Sequence, residues 1–154
     1  MHNHAPNDYN CPFCRIVRES AVGGNPDFVF QDSTVTAFMS LHDPPDNLGH
    51  VIIIPNIHYE NIYDLPFPLA ANIHACSRAV ALAMKAAYHC DGISTRQNNE
   101  PSGGQDVWHY HMHIYPRYVC DNFPRGEIIV TQPEKRAEHA TQLRVHFENR
   151  IASG

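Results

Sequence analysis

The most constraining feature of this chain is an alternation of histidines with bulky apolar residues, Trp-His-Tyr-His-Met-His-Ile-Tyr over residues 108–115. In a β-strand successive side chains point to opposite faces, so His109, His111 and His113 would share one face. In a helix each residue advances by about 100°, which would put His111 roughly opposite the other two. An ordinary solvent-facing strand would carry mixed polar residues. The pattern therefore predicts a strand over residues 107–118 whose imidazoles serve a common chemistry.

Histidine is also the unusual entry in the composition, with 12 in 154 residues against 11 Lys and Arg together. The net charge of -5 and the pI of about 6.1 leave no electrostatic footprint for a nucleic-acid backbone or an anionic membrane. No apolar run approaches the roughly 20 residues of a membrane span, and the N-terminal segment lacks the apolar core of a secretory signal. We therefore expect a cytoplasmic protein that binds neither nucleic acid nor membrane.

The length and the pattern of elements predict a single α+β domain. Residues 1–10 are polar and without periodicity, and predict a flexible arm before one domain over residues 11–154. The fold class is an antiparallel sheet of about five strands, with one long central helix and a C-terminal helix. Predicted helices cover residues 11–16, 66–89 and 132–152; predicted strands cover 28–31, 35–41, 50–55, 93–96, 107–118 and 127–131.

Cys11 and Cys14 form a Cys-x-x-Cys pair that can supply two thiolates to a tetrahedral zinc ion, which needs two further ligands. At about 3.3 Å per residue, His109 and His113 stand roughly 13 Å apart along a strand, too far to share one ion. We predict a closed structural zinc site, with His50 as an alternative donor. Its ligands are Cys11, Cys14, His58 and His109. A pair without metal, or a redox Cys-Pro-Phe-Cys motif, remains open.

With these motifs the chain resembles the histidine triad (HIT) family, whose signature is His-x-His-x-His followed by two apolar residues, here Ile114 and Tyr115. The resemblance extends to the Gly-His-x-x-x-Ile-Pro segment with its following histidine, to the Asn-rich Gly-Gly-Gln loop, and to the Cys-x-x-Cys pair of zinc-bearing bacterial members. These segments lie at residues 49–58, 98–105 and 11–14.

The resemblance implies a nucleotide-binding α+β fold, usually a homodimer, that cleaves a phosphoanhydride or phosphoramidate bond at the α-phosphorus of a nucleotide. His111 would be the nucleophile, since neutral imidazole is nucleophilic near pH 7. His113 and His50 would bind phosphate oxygens and assist the leaving group, with His113 as general acid. Gly104 and Gln105 would bring donors to the phosphate.

The implied nucleotide pocket departs from the family pattern at two positions. Ala-Phe-x-Asp, whose carboxylate usually accepts both ribose hydroxyls, appears here as Ala37-Phe38-Met39-Ser40. Asp106 stands where a serine often contacts the leaving group in the eukaryotic Hint branch. Four apolar positions resemble those that sandwich the purine and line the ribose pocket. The complete predicted set is Phe13, Ile16, Phe38, Ser40, Leu41, Asn98, Gly104, Gln105, Asp106, Val107, His111 and His113.

The leading functional hypothesis is a nucleotidyl hydrolase that acts on a purine nucleotide or nucleotide conjugate through His111. A nucleotidyltransferase or phosphorylase would hand the same intermediate to phosphate or a sugar phosphate. A zinc-stabilised nucleotide-binding or interaction protein would bind without turnover. A hydrolase or oxygenase whose histidines hold a catalytic ion is disfavoured by the roughly 13 Å between His109 and His113.

Overall fold

The computed structural model describes residues 2–123 and 127–151. Three α-helices and a five-stranded antiparallel sheet confirm the predicted α+β class. The helices are α1 (Pro12–Ala21), α2 (Phe67–Tyr88) and α3 (Pro133–Ile151). The strands are β1 (Phe28–Gln31), β2 (Val35–Met39), β3 (His42–Asp43), β4 (Val51–Pro55), β5 (Gly92–Gln97), β6 (Met112–Arg117) and β7 (Ile129–Val130).

The main sheet has the strand order β1-β2-β4-β6-β5, and every neighbouring pair is antiparallel. β4 is central: Ile52 lies opposite Phe38 of β2 on one side and His113 of β6 on the other. β3 and β7 form a separate two-stranded sheet. The apolar β-branched run of residues 51–54 suits this central position because both faces of β4 are covered.

Side-chain alternation divides the interior into two clusters on opposite faces of the sheet. Val51 and Ile53 of β4 join the larger cluster, which is covered by α2 and α3 and contains Ile73, Val80 and Met84 at helical spacing. Ile52 and Ile54 point the other way and pack with residues from the α1 side of the sheet. Met112 and Ile114 of β6 belong to the larger cluster, so His113 faces the α1 side.

The strand predicted over residues 107–118 is wrong in its first half, because β6 begins only at Met112. The hydrogen-bond donors of residues 109 and 110 make bonds that do not belong to the pairing of β6 with its neighbouring strands. The His109 ring bonds the Pro55 carbonyl (3.0 Å), the Tyr110 amide bonds the Tyr59 carbonyl (2.6 Å), and the His109 amide closes a tight turn on Val107 (2.8 Å). His111 nevertheless contacts His113, with ring centroids 4.8 Å apart, so these two imidazoles stay together.

Other boundaries differ in length. α1 extends to Ala21, well beyond the predicted end at residue 16. Pro12 occupies its first turn, and the Cys11 sulfur caps this end by accepting a hydrogen bond from the Cys14 amide (3.4 Å). β7 is shorter than the predicted 127–131, and β5 is one residue longer at each end than 93–96. The predicted terminal helix over 132–152 appears as α3, with residue 152 outside the described part of the chain.

The predicted arm carries no helix or strand within residues 2–10, and it lies against the domain. The buried Glu60 carboxylate accepts hydrogen bonds from the amides of His4 and Ala5, and the Asn61 amide group bonds the Asn3 side chain (2.9 Å). In residues 2–123 and 127–151, none of the helices has the length and hydropathy needed to cross a bilayer.

Candidate active site

A cavity of about 840 Å³ lies on the α1 face of the sheet and gathers most of the predicted site. One side, formed by α1 and β2, presents Phe13 and Phe38, whose rings are 5.6 Å apart. The other side lies over β6, β5 and the loop between them. Since neighbouring strands are about 4.8 Å apart, β2 and β5 are separated by roughly 14 Å. The predicted residues that line it are Phe13, Ile16, Phe38, Ser40, Leu41, His50, Asn98, Gly104, Asp106, Val107, His111 and His113.

His111 has its tautomer fixed by the main chain. Its Nδ1 lies 2.7 Å from the carbonyl oxygen of His109, and a carbonyl oxygen can only accept, so Nδ1 carries the proton. The lone pair is therefore on Nε2, which lies 3.6 Å from an Asp106 carboxylate oxygen. In its neutral form the ring presents Nε2 as the nucleophilic atom.

His50 and His113 form a hydrogen-bonded pair beside it. The His42 carbonyl accepts from His50 Nδ1 (3.0 Å), which leaves His50 Nε2 to accept from His113 Nδ1 (2.8 Å). Burial lowers the pKa of His50 to about 3 and that of His113 to about 2. Both rings are therefore neutral near pH 7, and His113 Nε2 has no proton. The general-acid role predicted for His113 requires that it first takes up a proton.

The Asp43 carboxylate holds the backbone of His50 in position. Its carboxylate is buried, accepts a hydrogen bond from the His50 amide (3.0 Å) and accepts a second from the Thr131 hydroxyl. Burial raises the pKa of Asp43 to about 6. Thr131 follows β7, so the small second sheet contributes to the placement of His50.

The Asn-rich loop differs from the prediction at Gln105, which does not line the cavity. Its side-chain amide donates to the Glu60 carbonyl (2.6 Å) and the Val107 carbonyl (3.0 Å), while its oxygen accepts from the Glu100 amide (2.8 Å). The geometry thus favours a loop-positioning role for Gln105 over the predicted phosphate contact. Within the described residues, the Val107 amide has no hydrogen-bond partner, which leaves one main-chain donor at the cavity.

Ser40 lies at the cavity, but its hydroxyl is engaged locally. It donates to the His42 carbonyl (2.9 Å) and accepts from the His42 amide (3.2 Å). These bonds hold the start of β3 and position the same carbonyl that fixes His50. Ser40 therefore supports the histidine pair, and its departure from the usual aspartate removes a charged acceptor from this side of the cavity.

The four predicted metal ligands come together in one cluster, with ligand atoms all within 4.8 Å of one another. Cys11 Sγ lies 3.3 Å from His109 Nδ1, and Cys14 Sγ lies 3.4 Å from His58 Nδ1. The sulfur–nitrogen edge of a tetrahedral zinc site is about 3.5 Å, given bonds of about 2.3 and 2.05 Å. Since His50 pairs with His113 instead, the alternative donor is excluded from the cluster.

The chemistry of this donor set also fits a cation. His109 Nε2 donates to the Pro55 carbonyl (3.0 Å), so its Nδ1 presents a lone pair to the two sulfurs. Burial, followed by the adjacent Cys11 thiol, raises the pKa of Cys14 to about 11, so a Cys14 thiolate here requires a cation to form. The cluster lies on the α1 side, next to the cavity, with Phe13 contacting both His109 and His111.

Sequence reasoning missed Arg96, an exposed residue of β5 that lines the cavity. Asp27, before β1, lines the cavity as well and was also missed; its carboxylate pairs with Arg136 of α3 (2.8 Å). Neither position belongs to a motif. The only available signal for Arg96 was its place in a predicted strand near the Asn-rich loop, which gives no register with β6.

The chain matches the family model of the HIT domain over residues 24–119. It belongs to the HIT family. The Bacillus subtilis "Protein hit" is 35% identical over 109 residues, which cover 71% of this chain and 72% of that protein. A HIT-like protein from Bartonella henselae superposes with a TM-score of 0.78 at 30% identity, covering 93% of this chain and 99% of the other.

Two further HIT relatives are informative about chemistry. The purine nucleoside phosphoramidase of Escherichia coli is 34% identical over 106 residues, covering 66% of this chain and 82% of that enzyme. A zinc-bound histidine triad family protein from Mycobacterium smegmatis has a TM-score of 0.74 at 25% identity, covering 94% of this chain and 98% of the other.

Proposed function

We propose that this HIT protein hydrolyses a purine nucleotide derivative at its α-phosphorus through a nucleotidyl intermediate on His111. The observation that carries the proposal is the placement of His111 Nε2 at the cavity, with Nδ1 held by the His109 carbonyl. The relationship to a purine nucleoside phosphoramidase supports the reaction class.

The cavity supports each step of this reaction. Phe13 and Phe38 offer aromatic faces for a purine on the β2 side. His111 Nε2 attacks the phosphorus, the bond to the leaving group breaks, and the leaving group departs with the electron pair. The Val107 amide is available to a phosphoryl oxygen. Water then attacks the phosphorus on His111, which releases the nucleotide and regenerates the ring.

We further propose that Cys11, Cys14, His58 and His109 hold a structural zinc ion. The four donors fill a tetrahedral shell, so no position is left for substrate. Bound zinc would keep both thiols deprotonated and would fix the start of α1 against the segment that leads into β6. The zinc-bound relative supports the identity of the ion.

Rapid-quench mass spectrometry tests the hydrolase proposal. Wild type incubated with adenosine 5′-phosphoramidate or a diadenosine polyphosphate is expected to carry an acid-labile adenylyl group, which His111→Ala cannot form. His74→Ala, which removes an exposed histidine of α2, is the matched control and should form the adduct.

Product analysis with inorganic phosphate present identifies the acceptor. With adenosine 5′-phosphoramidate as the substrate, hydrolysis releases AMP, whereas transfer to phosphate releases ADP. A purine nucleotide that binds without an adduct or turnover would contradict the enzymatic proposal and favour a binding protein. Turnover that persists in His111→Ala would contradict the assignment of the nucleophile.

A further inference from the structure

Arg96 occupies a defined place beside the histidines. It lies directly opposite His113 in the antiparallel pair of β5 and β6, so the two side chains share a face of the sheet. Both line the cavity. The positive charge of Arg96 is close enough to contribute to the lowered pKa of His113, after burial and the neighbouring histidines.

The guanidinium is oriented within the site, yet it lacks a carboxylate. Its Nε donates to Asn98 Oδ1 (3.2 Å), and Asn98 in turn donates to the Gly104 carbonyl (3.2 Å). A Cβ built on Gly104 would lie 3.8 Å from Arg96 Nη2. Among the side chains described in residues 2–123 and 127–147, no acidic group approaches Arg96 within 4.0 Å. The remaining guanidinium donors are therefore available to an anion.

The position of Arg96 places it near the leaving-group end of the substrate. If the base lies against Phe13 and Phe38 on the β2 side and the α-phosphorus lies at His111, the remainder of the substrate extends over β6 toward β5. The group beyond the scissile bond then meets Arg96 and Asn98. This inference rests on the proposed function and names the class of leaving group.

We propose that Arg96 binds an anionic leaving group, so that the site prefers nucleotides whose α-phosphate is joined to a second phosphate or to sulfate over phosphoramidates. When His111 Nε2 bonds to phosphorus, the bridging P–O bond breaks and its electron pair stays on the leaving oxygen. The leaving phosphate or sulfate thus gains negative charge, which Arg96 stabilises. A phosphoramidate leaves as a neutral amine after protonation and gains little from a nearby cation.

Asp106 is the acidic group closest to the reacting atoms, and its place differs from that of Arg96. It faces His111 Nε2 at 3.6 Å, on the nucleophile, whereas Arg96 lies beside His113 and Gly104. An in-line displacement puts the leaving group opposite the nucleophile. The departing anion then lies away from His111 Nε2, where the guanidinium of Arg96 offsets the repulsion that the Asp106 carboxylate exerts on it.

Three adenosine substrates test the proposal: diadenosine triphosphate, adenosine 5′-phosphosulfate and adenosine 5′-phosphoramidate, which lose ADP, sulfate and ammonia. Arg96→Gln is expected to lower kcat/KM about tenfold or more for one or both anhydrides relative to the phosphoramidate. Arg96→Lys should restore part of this loss. Arg15→Gln is the matched control: Arg15 lines the same cavity from α1 but already pairs with Glu19 (3.7 Å), so the substrate ratio should not change.

The two anhydride substrates distinguish a phosphate leaving group from a sulfate leaving group. A loss confined to diadenosine triphosphate identifies phosphate, and a loss confined to adenosine 5′-phosphosulfate identifies sulfate. Equal losses on all three substrates in Arg96→Gln, with wild-type turnover intact, would overturn this inference alone. Absence of His111-dependent turnover of every substrate in wild type would overturn the proposed function together with it.

Discussion

Main-chain carbonyls set the protonation of the site at the scale of single residues. The His42 carbonyl accepts from His50 Nδ1, and His50 Nε2 in turn accepts from His113 Nδ1. The His109 carbonyl accepts from His111 Nδ1. Because a carbonyl oxygen cannot donate, each tautomer is determined without a charged partner. Burial then removes the water that would stabilise a charged ring.

The pair formed by His50 and His113 should remain neutral at pH 5. Burial lowers their pKa values to about 3 and about 2, against about 6.5 in an unfolded chain. Two-bond ¹H–¹⁵N spectra report the protonation of each ring nitrogen. They should show one protonated and one bare nitrogen in both rings at pH 5. A ring that gains its second proton above pH 5 would contradict the burial argument.

The lowered pKa values of His50 and His113 also make the free energy of unfolding depend on pH. Below about pH 6.5 the unfolded chain binds protons at His50 and His113 while the native protein does not, so the free energy of unfolding falls as pH falls. Each histidine contributes up to about 1.4 kcal/mol per pH unit. Asp43, whose pKa is raised to about 6, acts in the opposite direction between about pH 4 and 6. Urea unfolding should be measured against pH for wild type and for His113→Gln. Both proteins contain Asp43, so its contribution cancels in the difference between them. The free energy of unfolding should fall less steeply with falling pH in the variant.

At the scale of elements, the entry into β4 depends on Gly49. Its φ is +92°, and a Cβ there would lie 2.8 Å from the ring of Tyr88 on α2. Tyr88 is near the end of α2, so this contact sets the approach of the helix to the strand that carries His50. A side chain at position 49 would strain the backbone and separate the two elements.

Gly49→Ala should therefore lower the free energy of unfolding by about 2–4 kcal/mol, combining backbone strain with overpacking. Gly103→Ala is the matched control, because no atom lies within 4 Å of a Cβ there and no left-handed backbone is required. Denaturant unfolding should place the control within about 1 kcal/mol of wild type. Equal stability of the two variants would show that the Tyr88 contact relaxes without cost.

Local patterns predicted the elements well and their contacts less well. The 3.6-residue periodicity of α2 and the β-branched run of β4 depend on the segment alone. The point at which β6 begins depends on Pro55 and Tyr59, which capture the groups of residues 109 and 110 from another part of the chain. Similarly, Gln105 matched a motif, but its partners Glu60 and Glu100 are fixed only by the fold.

At the scale of the whole molecule, the predicted zinc cluster joins three distant segments. Cys11 and Cys14 begin α1, His58 follows β4, and His109 precedes β6. An ion held by these residues closes long loops in the chain, and its binding free energy adds to the stability of the native state. The sequence indicated this set because Cys-x-x-Cys needs two further donors; the fold supplied the proximity.

Metal removal should lower the melting temperature by about 10 °C or more, since it removes several kcal/mol of stabilisation. Metal analysis should find one zinc per chain in wild type and a loss of zinc in Cys14→Ser. Cys120→Ser, an exposed cysteine outside the cluster, should keep the ion. If chelation abolished turnover while the melting temperature stayed constant, the ion would be catalytic and the structural assignment would be wrong.

His109 belongs to two sites at once: its ring nitrogen faces the sulfurs of Cys11 and Cys14, and its carbonyl fixes the proton of His111. A movement of this one residue changes both the donor set and the orientation of the nucleophile. Thermodynamic linkage makes such an effect reciprocal. If the bound ion raises the affinity for a nucleotide by some factor, the bound nucleotide raises the affinity for the ion by the same factor. Occupancy of the cavity would then be reported by the affinity with which the protein retains the metal at equilibrium against a competing chelator.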